Sequence, residues 1–98
     1  MVDNRYSEQW AAYVQELGDQ VHDVRMTRGM SQEQVAYAAG LTRYTFQRLE
    51  RGLGTNASPA NPTLFTLVSV AGALDVGVED LLPARDLGDP AVEQQHRA

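Results

Sequence analysis

The chain has 98 residues, 43% of them apolar, which suits one domain of common size around a single modest core. It contains no cysteine, and this excludes disulfides, thiolate zinc sites and cysteine nucleophiles. Thirteen acidic against eight basic residues leave a net charge of −5, so indiscriminate binding to polyanions is disfavoured and the local distribution of charge becomes the informative quantity. The longest apolar run is far short of a membrane span and the polar N-terminus has no hydrophobic signal region; a cytoplasmic protein with no membrane partner is the expectation.

From Ser7 to about Arg28, the residues Trp10, Val14, Leu17, Val21 and Val24 recur at alternating spacings of four and three, one face of a helix. Gly18 costs about 1 kcal/mol relative to alanine inside such a helix, leaving open one long helix or two with a bend. Residues 1–16 read as an N-terminal helical extension. Its Trp10 and Tyr13 either cover the core edge or meet a second copy of the chain.

Ser31 is placed to cap a second helix, with Gln34 reaching back to complete a capping box. Val35, Ala36, Ala38 and Ala39 follow, and Gly40 stops the helix in the left-handed conformation. A third helix spans Thr42–Arg51, capped by Thr42 and stopped by Gly52. After a loop of Gly, Asn, Ser and Pro over Gly52–Ala60, Asn61-Pro62 reads as a cap followed by proline in the first turn. Leu64, Leu67, Val68, Ala71 and Leu74 then give the buried face of a fourth helix. A short fifth helix, Val78–Leu82, carries Glu79 and Asp80 in its first turn and is closed by Pro83. Residues 17–82 therefore form the domain, and 83–98 a polar tail without an apolar stripe, expected to be disordered.

Counting from Gln32, Ala36 stands four residues on, Gly40 eight, Leu41 nine, Phe46 fourteen and Leu49 seventeen. Two short helices crossing steeply through a tight turn need a small residue where they touch, a left-handed residue between them, and apolar side chains inside the angle. Ala36, Gly40, and Val35 with Leu41, Phe46 and Leu49 meet those three needs. On the wheel of the third helix Thr45, Phe46 and Leu49 share one arc. Arg43, Tyr44, Gln47, Arg48 and Arg51 occupy the opposite side, a face that reads either as a ligand surface or as plain solvated surface. The stretch 41–56 holds three arginines against Glu50, a local excess of cations, while 75–93 holds six acids against Arg85.

Two segments, RMTRGMSQEQVAYAAGLTRYTFQRLERG from Arg25 to Gly52 and NPTLFTLVSVAGALDVGVEDLL from Asn61 to Leu82, resemble the Xre/Cro-like phage-repressor helix-turn-helix domains. The resemblance implies an all-α, compact, five-helix lambda-repressor-like domain that binds double-stranded DNA sequence-specifically as a transcriptional regulator, a repressor in the first instance. Its recognition helix, 42–51, would enter the major groove. It implies that Arg43, Tyr44 and Arg48 read base edges with Gln47 as a further reader, that Gln32 and Arg51 contact phosphate, and that Thr42 belongs to the same DNA-facing set. Arg25 and Glu50 match a structural salt bridge, with Ala36 and Gly40 as the steric elements of the turn. A homodimer on a palindromic operator is the implied assembly, through either the N-terminal extension or the Leu81-Leu82 tip.

The chain departs from the pattern in the loop 53–60, which is longer than usual and lacks a cation for phosphate; reduced affinity at physiological salt is the consequence. His22 with Asp19 and Asp23 could suggest a metal site, but the three directions diverge around the helix, and a surface histidine without metal is the expectation. No phosphate-binding glycine loop, nucleophile elbow or His/Glu metal motif is present, so neither an enzyme nor a cofactor is expected. An antitoxin or adaptor-type protein, whose main partner is another protein met through the acidic tail, remains the alternative.

Overall fold

A computed structural model describes residues 4–84. The polar tail expected over 83–98 lies outside them from residue 85 onward. The elements are α1 (Asn4–Thr27), α2 (Gln32–Ala39), α3 (Arg43–Glu50), a 3₁₀ turn at Thr55–Ala57, α4 (Leu64–Leu74) and a second 3₁₀ turn at Val78–Asp80. Extended pairing among the described residues is limited to one isolated bridge, Leu53 to Pro59. None of their helices is long and apolar enough to cross a membrane.

α1 runs without a bend through Gly18, and the reason lies in packing. A Cβ at position 18 would stand 2.5 Å from the Glu50 carbonyl oxygen and 2.7 Å from that of Leu49. Glycine is therefore the residue that lets α1 cross the last turn of α3 at backbone distance. Gly52, at φ +73°, plays the complementary part, with Gln15 Cα only 3.0 Å from where its Cβ would be. The described residues of the N-terminal extension, 4–16, are part of α1 itself. Trp10 Nε1 donates to the Ala60 carbonyl at 2.9 Å and its ring stacks on Tyr13 at 5.7 Å, tying α1 to the loop before α4.

The local signals around α2 and α3 act as written. Ser31 Oγ accepts from the Gln34 N–H, and Gln34 Oε1 accepts from the Ser31 N–H. Gly40 is left-handed at φ 75°, and the Leu41 N–H reaches back to the Ala36 carbonyl at 2.8 Å. Ala36, 2% exposed, lets α2 and α3 close on the fully buried Phe46.

The last third of the chain differs from expectation in three respects. Thr63, not Asn61, caps α4: it is extended and its hydroxyl accepts from the Thr66 N–H, with Pro62 outside the helix. The buried face of α4 is Leu67, Val70, Ala71 and Leu74, while Leu64 and Val68 are 70% and 51% exposed. The expected fifth helix is only the 3₁₀ turn Val78–Asp80, so the described residues hold four α-helices and two 3₁₀ turns. Pro83 disfavours helical backbone at Leu82 and leaves no room for a second turn. Gln20 Nε2 donates to the Asp80 carbonyl and holds the turn against α1. Leu81 is fully buried, so the expected Leu81-Leu82 contact tip reduces to Leu82, 39% exposed.

One core joins all four helices: Leu17 and Val21 of α1, Val35 and Ala36 of α2, Phe46 and Leu49 of α3, Val70, Ala71 and Leu74 of α4, with Leu81 beneath. Gly18→Ala tests the crossing of α1 and α3. An alanine inside a helix ordinarily adds about 1 kcal/mol; here the clash with main-chain oxygens reverses the sign, and urea unfolding is expected to show a loss of about 1–3 kcal/mol.

Candidate nucleic-acid interface

α3 is eight residues long, too short to persist by itself, and its orientation is set by its neighbours. Phe46 and Leu49 face inward, fully or nearly fully buried. Arg43, Tyr44 and Arg51 are exposed, and Gln47 and Arg48 are half-buried beside them, so all five share the outward side. Thr45, expected on the inner arc, is exposed and lines a groove beside the helix with Leu41, Leu49 and Thr66.

The outward side is partly organised in advance. Arg48 Nη1 donates to the Tyr44 hydroxyl at 3.2 Å, and the guanidinium carbon stands 5.4 Å from the Tyr44 ring centroid. This is an i to i+4 pair combining a hydrogen bond with a cation–π contact. Arg48 Nη2 is buried and finds no acceptor among the described residues. A donor in that state carries a desolvation cost of about 1–3 kcal/mol.

Thr42 and Gln32, both assigned to the DNA-facing set, have their side chains engaged inside the protein. The Thr42 hydroxyl accepts from the Thr45 N–H at 3.0 Å and pairs with the Thr45 hydroxyl at 2.9 Å, so it serves as the cap of α3. Gln32 Nε2 donates to Glu50 Oε1 at 2.9 Å.

Glu50 is the centre of the arrangement. Arg25 Nε donates to its Oε2 at 2.6 Å and Arg25 Nη2 to its Oε1 at 3.1 Å, while Arg25 Nη1 donates to the Met30 carbonyl at 2.9 Å. Arg25 and Glu50 are 8% and 6% exposed. His22, expected as a plain surface histidine, sits with Nδ1 3.4 Å from Glu50 Oε1 and 3.2 Å from Arg25 Nη2. Burial by itself would raise the Glu50 pKa. Hydrogen bonds from Arg25 and Gln32, the Arg25 charge and the His22 contact outweigh it, and the carboxyl titrates below its ordinary value of 4.5. Residues from α1, α2 and α3 thus converge on one carboxylate at the base of the outward face. His22 lies three residues before Arg25 on α1, a spacing that puts both on one side and was readable in the sequence. Tyr37, 89% exposed on α2, gave no periodic signal and was not singled out.

Residues 16–82 match a family model described as a helix-turn-helix domain, about two-thirds of the chain. The chain belongs to the helix-turn-helix domain family. Among solved structures, this helix-turn-helix chain is similar to the restriction-modification controller protein C.AhdI from Aeromonas hydrophila. The two are 28% identical with a TM-score of 0.64, over 72% of this chain and 98% of the other. It is also similar to a chain of the SinR protein/SinI protein complex, at 29% identity and a TM-score of 0.60, over 83% of this chain and 75% of that one. No protein of curated function matches it. The resemblance to Xre/Cro-like helix-turn-helix regulators stands with these findings.

The lock on α3 has a pH signature. Because the folded-state pKa of Glu50 is lowered, its contribution is present above about pH 4.5 and is lost as pH falls through the folded value. Glu50→Gln is expected to cost about 3–5 kcal/mol near neutrality, since it strands the Arg25 charge. It should also flatten the fall in unfolding free energy below pH 4.5, as read by denaturant titration across pH.

Proposed function

We propose that this helix-turn-helix chain is a cytoplasmic, sequence-specific DNA-binding regulator of transcription acting as a repressor. In this reading the segment 42–51 enters the major groove, and a homodimer occupies a palindromic operator. Neither a cofactor nor a catalytic step is part of it. The observation that carries the reading is the pairing of an inward-locked base with an outward face of arginines and a tyrosine. Arg43 and Tyr44 project from the first turn of α3, the part of a recognition helix that reaches base edges. Arg48, whose guanidinium lies beside the exposed Tyr44, suits a guanine edge. Gln47 is the further reader, and Arg51, past the last helical turn, suits phosphate. The side-chain amide of Gln32 holds Glu50, so the phosphate role assigned to this position passes to the backbone N–H groups of the first turn of α2. The neutral loop 53–60 and the net charge of −5 favour weak non-specific binding, which leaves base reading as the larger share of discrimination.

One observation keeps a second reading in view: a matched solved structure is a protein–protein complex, which suits an antitoxin or adaptor whose main partner is a protein. Selection of bound sites from random duplexes separates the two. The regulator reading expects a two-fold symmetric motif, with Arg43→Ala and Arg48→Ala each costing about 1–3 kcal/mol and relaxing preference at particular positions. Arg51→Ala is expected to weaken all sequences alike and to reduce the salt slope by about 1. Failure of the wild-type chain to enrich any duplex would overturn it.

A further inference from the structure

We propose that the outer face of α4, centred on Leu64, Phe65 and Val68, is a symmetric contact surface for a second copy of this chain. These side chains are 70%, 79% and 51% exposed. Val68 stands four residues from Leu64 and three from Phe65, the spacings at which side chains meet on a helix, so the three form one apolar patch of the kind monomers seldom leave open without use.

Charge decides what covers it. Residues 52–74 contain no charged side chain, whereas the other 75 residues carry all 21 charges (13 acidic and 8 basic), leaving −5. Two identical acidic molecules repel where their acidic surfaces approach, and the neutral span is where a self-complementary contact meets the least repulsion. A different protein recognising an acidic chain would gain from facing its carboxylates, which this patch lacks.

The neutral surface also extends past the stripe. On the flank of α4 bearing Thr63 and Thr66, a cavity of about 260 Å³ is lined by uncharged residues that include Leu41, Leu49 and Leu53. Three side chains alone do not supply the roughly 800 Å² per partner of a standard interface, and the groove adds uncharged surface beside them. Both surfaces expected to serve this purpose are partly used within the chain. Leu81 is buried, and Trp10 is hydrogen-bonded to the Ala60 carbonyl. The function of such a dimer, setting two recognition helices at a fixed spacing, rests on the DNA-binding reading; the self-association does not.

The test is sedimentation equilibrium of the full chain without DNA. The wild type is expected to dimerise, and Phe65→Glu to raise the dissociation constant at least ~30-fold, because the substitution occurs twice across a two-fold contact. Leu82→Glu, at the rival tip, should leave it within about 3-fold, inside the usual range for near-neutral rim positions. Thermal unfolding at a concentration where all variants are monomeric checks the fold; should Phe65→Glu fail there, Phe65→Ala and Val68→Ser give the same reading with smaller shifts. A wild type that stays monomeric to several hundred micromolar, a dimer indifferent to position 65, or one broken by Leu82→Glu would each overturn the proposal. A chain that dimerises through α4 yet enriches no duplex would leave this inference standing and remove the DNA-binding one.

Discussion

The outward face of α3 depends on how the last turn of that helix is gripped. Gly18 lets α1 lie against the Leu49 and Glu50 carbonyls, and in that position Arg25, one and a half to two turns further along α1, meets the Glu50 carboxylate in a paired hydrogen bond. Gln32 adds a third helix to the same carboxylate. A buried ion pair is weak evidence for net stability, because desolvation consumes most of the attraction. Its geometry is another matter: a bidentate pair with further donors has few arrangements of equal energy. The pair fixes the rotation of a helix too short to fix itself.

That grip explains features that look like imperfections in isolation. A glycine in the middle of a 24-residue helix costs helical stability, yet any side chain there would push α1 off α3. The long loop before α4 is similarly purposeful in packing. It is closed by the Leu53–Pro59 bridge and by the Ala60 N–H donating to the Gly52 carbonyl, and Trp10 anchors the Ala60 carbonyl from outside. Asn56 and Ala57 adopt left-handed backbone at its tip, a local cost of order 1–3 kcal/mol each in total strain that the surrounding hydrogen bonds hold in place.

The α2–α3 unit was legible because its information is local: a capping box, a left-handed glycine and a small residue at the crossing each act within a few positions. The buried flank of α4 was not. Leu64 and Val68 keep the same i, i+4 spacing as core residues, and periodicity states which residues share a side without stating which side the rest of the molecule covers. The short last element failed for a related reason, since three residues before a proline satisfy a 3₁₀ turn as well as a helix. At the site, Arg43, Tyr44 and Arg51 were readable as outward from the wheel. The partners of Gln32, His22 and Arg48 depend on contacts between helices and on rotamers, which no linear pattern encodes.

The same carboxylate also settles an electrostatic question raised by the composition. Glu50 is the one acidic residue between Glu33 and Asp75, and it stands next in sequence to Arg51. Left in solvent it would offset part of the positive charge of Arg43, Arg48 and Arg51. Turned inward and matched by Arg25, it is neutralised by a cation that the outward face does not use. An acidic chain thereby keeps a cationic surface on α3, separated in sequence from the acids that begin at Asp75 by the neutral span 52–74. The pair that orients the helix is therefore also what leaves its arginines uncompensated, and both effects disappear together if Arg25 is lost.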